Sequence, residues 1–202
     1  MSGDAPSSVD AAKAALRHRL LTARRARPPA VREEAAAAIA AHLLALAPVA
    51  RARTVAAYRA LPDEPDLEAA LTTLVARGAE VLLPLTRADG ALDWARHDPG
   101  APIRRSDLGV REPIGPPLGP QAVTVADVVI VPALAVDHAG RRLGRGAGYY
   151  DRTLGLLPPA ARPVLVAVVH AEELLTAVPH AAHDVAVDLV VTETGVFRVP
   201  GA

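Results

Sequence analysis

The chain has 202 residues, enough for one domain with a sizeable core, and its 51% hydrophobic and 22% charged residues are those of a globular protein. Its 22 basic and 22 acidic side chains cancel, so no whole-molecule field draws it to nucleic acid or an anionic membrane, and any anion must be held by a local cluster. With no cysteine, a disulfide framework, a thiolate zinc site and a cysteine nucleophile are excluded, and no apolar run reaches the length of a membrane span.

Residues 1–9 are small and polar and no apolar signal core follows them; we expect a flexible tail there and a single domain over 10–202. The acid-free stretch KAALRHRLLTARRAR has the composition of a transit peptide and equally that of a solvated basic helix face; the expected location is the cytoplasm and the expected state a monomer. Over 9–26 the pattern is helical, with Leu16, Leu20 and Leu21 on one stripe and basic residues over the rest. Pro28 and Pro29 stop that helix, and AVREEAAAAIAAHLLALA reads as a second, ended by Pro48. RTVAAYRAL predicts a short strand, DEPDLEAALTTLVARGA a helix with acids at its start and Gly78 past its end, and EVLLPL the next strand. Strand, helix, strand at this spacing predicts a parallel sheet.

DGALDWARH predicts a turn and an exposed strand. Residues 98–121 hold six prolines and four glycines with little apolar periodicity, which in a compact chain predicts a functional lid or a disordered insert. ADVVIVPALAVD and RPVLVAVVH read as buried strands, AEELLTAV as a short helix and VAVDLVVTE as the last strand. The fold class expected is α/β, three layers with a mainly parallel central sheet.

Between ADVVIVPALAVD and a helix expected over 149–157 lies RRLGRGAGYYDR, residues 141–152. In open α/β sheets ligands bind where strands end and helices begin. Gly144, Gly146 and Gly148 permit positive φ and close approach to the main chain. Arg142 and Arg145 add donors suited to phosphate oxygens, and Asp151 is a carboxylate of the kind that shares Mg²⁺ with substrate phosphates. The stretch is neither a P-loop, which needs a lysine after its glycines, nor a dinucleotide fingerprint, since its glycines run G-x-G-x-G. Residue chemistry alone leaves two readings, a phosphate-binding turn and a tight turn with solvated arginines.

VPALAVDHAGRRLGRGAGYYDRTL closely resembles the hallmark stretch of the 5-formyltetrahydrofolate cyclo-ligases, also called 5,10-methenyltetrahydrofolate synthetases. Lys13-Ala-Ala-Leu-Arg17, LPDEPDLEAAL, GVREP and VPHAAHDVAVDLVVTETG resemble further segments of that family in the same order, so the resemblance spans about residues 10–197. It implies an ATP- and Mg²⁺-dependent ring closure of 5-formyltetrahydrofolate, in which the formyl oxygen takes up the γ-phosphoryl group. Carried over, Lys13 and Arg17 contact ATP phosphates, and the run Arg142, Leu143, Gly144, Arg145, Gly146, Ala147, Gly148, Tyr149, Tyr150 wraps the nucleotide. Residues 145–149 also line the folate, Glu64 hydrogen-bonds the pterin, Asp151 and Asp188 serve the metal, and Arg145 and Tyr150 act in catalysis. The chain departs from the pattern at Ala147, where some relatives carry lysine, at Val136, where phenylalanine is usual, and at Arg59, where some relatives have an apolar residue.

Plainer readings stand beside these roles. Lys13 and Arg17, four apart, suit a solvated helix face equally, and Glu64 near a helix start is favoured by the dipole alone. Asp188 amid β-branched residues is costly unless paired or metal-bound. Asp137 caps a turn. His180 and His183 lack the companions of a zinc site, and His183-Asp184 orders the loop before the last strand. Trp94 is half-buried core at a strand edge rather than a folate platform. A non-catalytic nucleotide- or folate-binding module is the second function considered; a kinase or phosphosugar isomerase lacks its P-loop or acid–base pair here.

Overall fold

The computed structural model describes residues 8–106, 109–158, 162–180 and 185–201; the expected tail lies outside them apart from Ser8 and Val9, and so does His183. In chain order the elements are helices α1 (Ser8–Ala26), α2 (Pro29–Ala45) and α3 (Ala47–Arg51), strand β1 (Thr54–Ala56), helix α4 (Glu68–Ala76), strands β2 (Glu80–Thr86), β3 (Leu92–Arg96), β4 (Ile103–Arg105) and β5 (Arg111–Pro113), a 3-10 turn at Pro120–Val125, strands β6 (Val128–Pro132), β7 (Ala135–Asp137) and β8 (Arg142–Leu143), helix α5 (Tyr149–Leu154), strand β9 (Val164–Val168), a 3-10 turn at Ala171–Glu173, and strands β10 (Leu174–Leu175), β11 (Leu189–Thr192) and β12 (Gly195–Arg198).

A seven-stranded sheet runs in the order β12-β11-β9-β6-β1-β2-β3. Its five inner strands are parallel and its two edges antiparallel, so the mainly parallel α/β expectation holds. Inner strands are buried on both faces, which explains their unbroken apolar runs. Along β9, Val166 and Val168 pack with Ile39, Leu43 and Leu71 of α2 and α4, while Leu165 and Ala167 face the opposite layer, built on Trp94, Val123 and Leu154. That second layer is thin: a six-residue α5 and the Pro120–Val125 turn supply it. A separate three-stranded sheet, β10-β7-β8, carries α1, whose Leu16, Leu20 and Leu21 meet Leu134, Leu143 and Val178.

Several expectations are corrected. α1 ends at Ala26 ahead of Pro28 as expected, and Pro29 also starts α2, because proline's missing N–H is harmless in a first turn. Pro48 likewise sits in the first turn of α3. β3 is buried, with Trp94 fully so, because the proline-rich segment folds back over it: Leu118 N donates to Trp94 O at 2.8 Å, and Gly119 N to Asp93 Oδ1 at 2.7 Å. That segment is no disordered insert over its described length but carries the β4–β5 hairpin, held by buried Glu112, which accepts from Thr86 N and Thr86 Oγ1 at 2.7 and 2.5 Å and from Arg104 Nε at 3.1 Å. ADVVIVPALAVD is two strands, β6 and β7, in different sheets. AEELLTAV is a 3-10 turn and β10, since Glu173 turns inward to a buried ion pair with Arg24, Nη2 to Oε2 2.7 Å. α1 is also not a leucine stripe with solvated bases around it: Arg24 shares the buried face and donates to Ala133 O at 2.6 Å.

Candidate active site

β1 leads through α4 to β2 on one side, yet its other neighbour is β6. This is a topological switch point, where the loops leaving two adjacent parallel strands diverge and open a crevice. A pocket of about 300 Å³ sits there, lined by Tyr58 and Arg59 after β1, Pro132 and Ala133 at the end of β6, and the glycine stretch after β8. The antiparallel β7–β8 hairpin of the small sheet, which follows β6 in the chain, thus delivers the stretch to the position where the main sheet leaves a gap.

Within the stretch the glycines have different tasks. Gly146 (φ +103°) and Gly148 (φ +73°) take left-handed backbone, where a side chain is strained. Gly144 does not; its carbonyl accepts from Arg17 Nε at 2.9 Å. α1 is thereby tied to the turn, with Lys13 one helical turn further along the same face. A Cβ on Gly146 would stand 3.4 Å from the Arg17 guanidinium carbon, so the turn and α1 fit closely. α5 is only six residues long, so its dipole is a small part of any anion field and the arginines are the larger part.

Arg142 is buried and pairs with Asp151 through Nη2 to Oδ1 at 2.5 Å, leaving Asp151 Oδ2 free of it, and its Nε has no partner. Arg145 crosses the pocket mouth. Its Nε donates to Glu64 Oε1 at 2.9 Å and its Nη2 to Asp63. Glu64 is positioned from below as well, since Oε2 accepts Leu61 N at 3.0 Å while Glu64 N returns to Leu61 O at 2.9 Å. Arg152 fastens the turn's other side, donating to Ala147 O and Gly90 O at 2.8 Å and lying 5.4 Å from the Tyr149 ring centre.

Two phenols face the pocket from within. Tyr58 Oη donates to Pro65 O at 2.9 Å. Tyr150 Oη is buried without a partner, and burial, then the charge of Glu64, pushes its ionisation well up, against the weaker pull of Arg142. Tyr150 thus stays a neutral phenol throughout the physiological range, its side chain on the cavity wall and its hydroxyl enclosed with nothing to donate to.

The expected residues divide. Glu64, Arg142, Gly144, Arg145, Ala147, Tyr149, Tyr150 and Asp151 line the pocket. Gly146 and Gly148 stand at the back of the turn beside Arg17 and Arg152, and Leu143 packs its side chain under α1. Asp188 is not brought to Asp151. It precedes β11, where Oδ2 accepts Arg162 Nη1 and Leu165 N, both at 2.7 Å, at the start of β9. Strand starts and strand ends are opposite edges of a parallel sheet, so the expected pairing of these two carboxylates around one metal is corrected. Among the described residues no three His, Asp or Glu side chains gather as a metal cluster. Asp137 caps its turn, accepting from Ala139 N, Arg141 N and Val178 N at 3.0 to 3.1 Å. His180 Nε2 lies 3.4 Å from Arg141. Tyr58, Thr86 and Val110 line the pocket without having been singled out; only their position at strand ends or in the hairpin could have marked them.

A family model described as the 5-formyltetrahydrofolate cyclo-ligase family matches residues 9–193. The chain belongs to that family. A 5-formyltetrahydrofolate cyclo-ligase of Mycolicibacterium smegmatis is 45% identical over 185 residues, covering 89% of this chain and 93% of that one. Among solved structures, the chain is similar to a 5,10-methenyltetrahydrofolate synthetase of Aquifex aeolicus, with TM-score 0.78, 29% identity and 94% of each chain covered. A synthetase of the same name from Mycoplasma pneumoniae shares the cyclo-ligase fold at TM-score 0.70 and 21% identity, over 90% of this chain and 98% of that one. Among the described residues, no helix is long and apolar enough to cross a membrane.

Proposed function

We propose that the chain is a 5-formyltetrahydrofolate cyclo-ligase that uses ATP to close the folate ring, and that the switch-point pocket is where it does so. The observation that carries this reading is the convergence there of a close-fitting glycine turn, two arginines and a carboxylate, Asp151, with Glu64 and the unpartnered Tyr150 hydroxyl on the same cavity. Phosphate donors and a heterocycle acceptor side by side suit a reaction that brings a nucleotide to a pterin.

A formyl oxygen on nitrogen is a poor leaving group. In the proposed sequence it attacks the γ-phosphorus, the bond to ADP breaks, and the oxygen becomes part of a phosphate ester. N10 then bonds to the formyl carbon, the C–O bond breaks, and phosphate departs carrying the N10 proton. The reaction calls for positioning and charge stabilisation rather than a protein nucleophile. Arg145, released from Asp63 and Glu64 by the nucleotide, meets the transferring oxygens. Lys13 and Arg17 hold the outer phosphates from α1, and the main chain of residues 144–148 cradles them. Glu64, freed on one oxygen, accepts from pterin N–H groups. The Tyr150 hydroxyl donates to the formyl or phosphoryl oxygen.

Mg²⁺ fits this site modestly. Asp151, half exposed with Oδ2 unused by Arg142, is the carboxylate that would hold it, since Mg²⁺ on a nucleotide commonly takes one or two carboxylates and completes its shell with phosphates and water. When bound it would neutralise phosphate charge.

The test is an absorbance assay for the methenyl product from 5-formyltetrahydrofolate, with and without ATP and Mg²⁺. Product that forms only with ATP is expected. Binding of both ligands with no product under any condition would favour a non-catalytic module instead.

A further inference from the structure

Behind the pocket, α1 meets the Ala171–Glu173 turn through a buried ion pair. The Arg24 guanidinium is bidentate on Glu173, Nε to Oε1 and Nη2 to Oε2, both at 2.7 Å, with 1% of each side chain exposed. Glu173 is itself fixed to the main sheet, since Oε2 accepts His170 N, just past β9, at 2.8 Å. Arg27 repeats the tie further along α1, Nη2 to Glu172 Oε1 at 2.7 Å.

Stability alone does not account for the pair. Arg24 Nη1 is enclosed without an acceptor, and two apolar side chains of similar volume commonly hold a helix as well. What only the guanidinium supplies is a directed bond onward: Nη2 also donates to Ala133 O at 2.6 Å, and Ala133 lines the pocket. From there the bonds close into a ring. Leu134 N donates to Leu143 O at 2.7 Å, and Gly144 O accepts Arg17 Nε at 2.9 Å. Arg17 lies seven residues before Arg24 on α1, about two turns away on the same face. The ring fixes α1, the pocket wall at Ala133 and the glycine turn against one another. The small sheet beneath could not do so unaided, because β7 has three residues and β8 and β10 two each.

We infer that Arg24 is a positioning residue for nucleotide binding: through Ala133 and Arg17 it sets the height of α1 over the pocket, and so the distance at which Lys13 and Arg17 stand from the glycine turn. Its enclosure keeps it from touching any ligand. The inference rests on the reading of the pocket given above.

Three variants test it. R24M/E173Q removes both charges together, so no buried ion is left alone, and the amide keeps an acceptor for His170 N. R24K keeps the cation without the fork. D188A, at the opposite edge of the sheet, is the control for a loss of stability that leaves the ring intact. The measurements are amide hydrogen exchange of residues 144–148 and of β2 without ligand, the calorimetric Kd for ATP without folate, and KM for 5-formyltetrahydrofolate. In R24M/E173Q the turn amides should exchange about tenfold faster and ATP should bind about tenfold more weakly, with β2 exchange no faster than in D188A and folate KM within about threefold of the wild type. R24K should fall between the two, and it decides the matter alone should the double variant not fold. Unchanged exchange at the turn, exchange raised equally at the turn and β2, or equal losses for ATP and folate would each overturn the proposal. Faster turn exchange with weaker ATP binding supports it even in a protein that makes no product, in which case only the cyclisation reading fails.

Discussion

The two edges of the central sheet carry the same kind of chemistry to opposite ends. Where the parallel strands begin, Asp127 accepts Arg53 N and Thr54 N at 2.7 and 2.9 Å, and Asp188 takes Arg162 and the main chain of Leu165. Where they finish, Asp151 and Glu64 take Arg142 and Arg145. At the starting edge carboxylates are consumed by backbone amides and register the strands. At the finishing edge, arginines reach across a cavity and leave donors unmet at Arg142 Nε and Tyr150 Oη. An ion pair alone thus marks neither structure nor function; what sets the finishing end apart is that its pairs surround one cavity together with a glycine turn and two phenols.

That contrast breaks most sharply at Asp151. D151A should reduce turnover about a thousandfold, about 4 kcal/mol in the barrier, in a chain that still folds but melts lower, because buried Arg142 loses its carboxylate; a collapsed fold would make the residue a structural one. R145A should cost at least ~2 kcal/mol of transition-state stabilisation, read as a fall in kcat/KM, and unchanged kinetics would remove it from the chemistry. Y150F should lower kcat about tenfold without lowering stability, because it deletes a buried hydroxyl that bonds nothing. D188A should do the reverse, costing about 1–3 kcal/mol in denaturant unfolding while kcat stays within about twofold; lost turnover in a folded D188A would bring it back to the metal.

The smallest effect concerns His170, buried at the end of β9. Burial, then the charges of Arg27 and Arg24, lower its pKa to about 3. The unfolded chain, with an ordinary histidine near 6.5, binds the extra proton between those values, so stability is full above about pH 6.5 and falls on acidification toward about pH 3. H170Q should flatten that part of the pH–stability curve.

The finishing edge was legible because its signals are local. Three alternating glycines, two arginines and Tyr149-Tyr150-Asp151 are contiguous, and the strand ahead of them is apolar throughout. What escaped is set by partners far along the chain. Arg24 looks like one basic residue of many until Glu173, 149 positions away, meets it. Trp94 looks half-exposed until residues 118 and 119 cover its strand. Asp188 is too costly to leave alone among valines, but apolar context does not tell a metal from an arginine as its relief, and Arg162 supplies the arginine.

The Arg24–Glu173 pair has a consequence for how the chain can be cut. Its side chains are each 1% exposed, so α1 is riveted at its far end, while nearer its start Arg17, one turn after Lys13, bonds the glycine turn. Proteolysis in the short joint at Arg27–Pro28 would free a segment bearing both cations and strand a buried carboxylate. Trimming the amino terminus as far as α2 should therefore abolish ATP binding and loosen the fold together, however dispensable a basic, alanine-rich leader looks on paper.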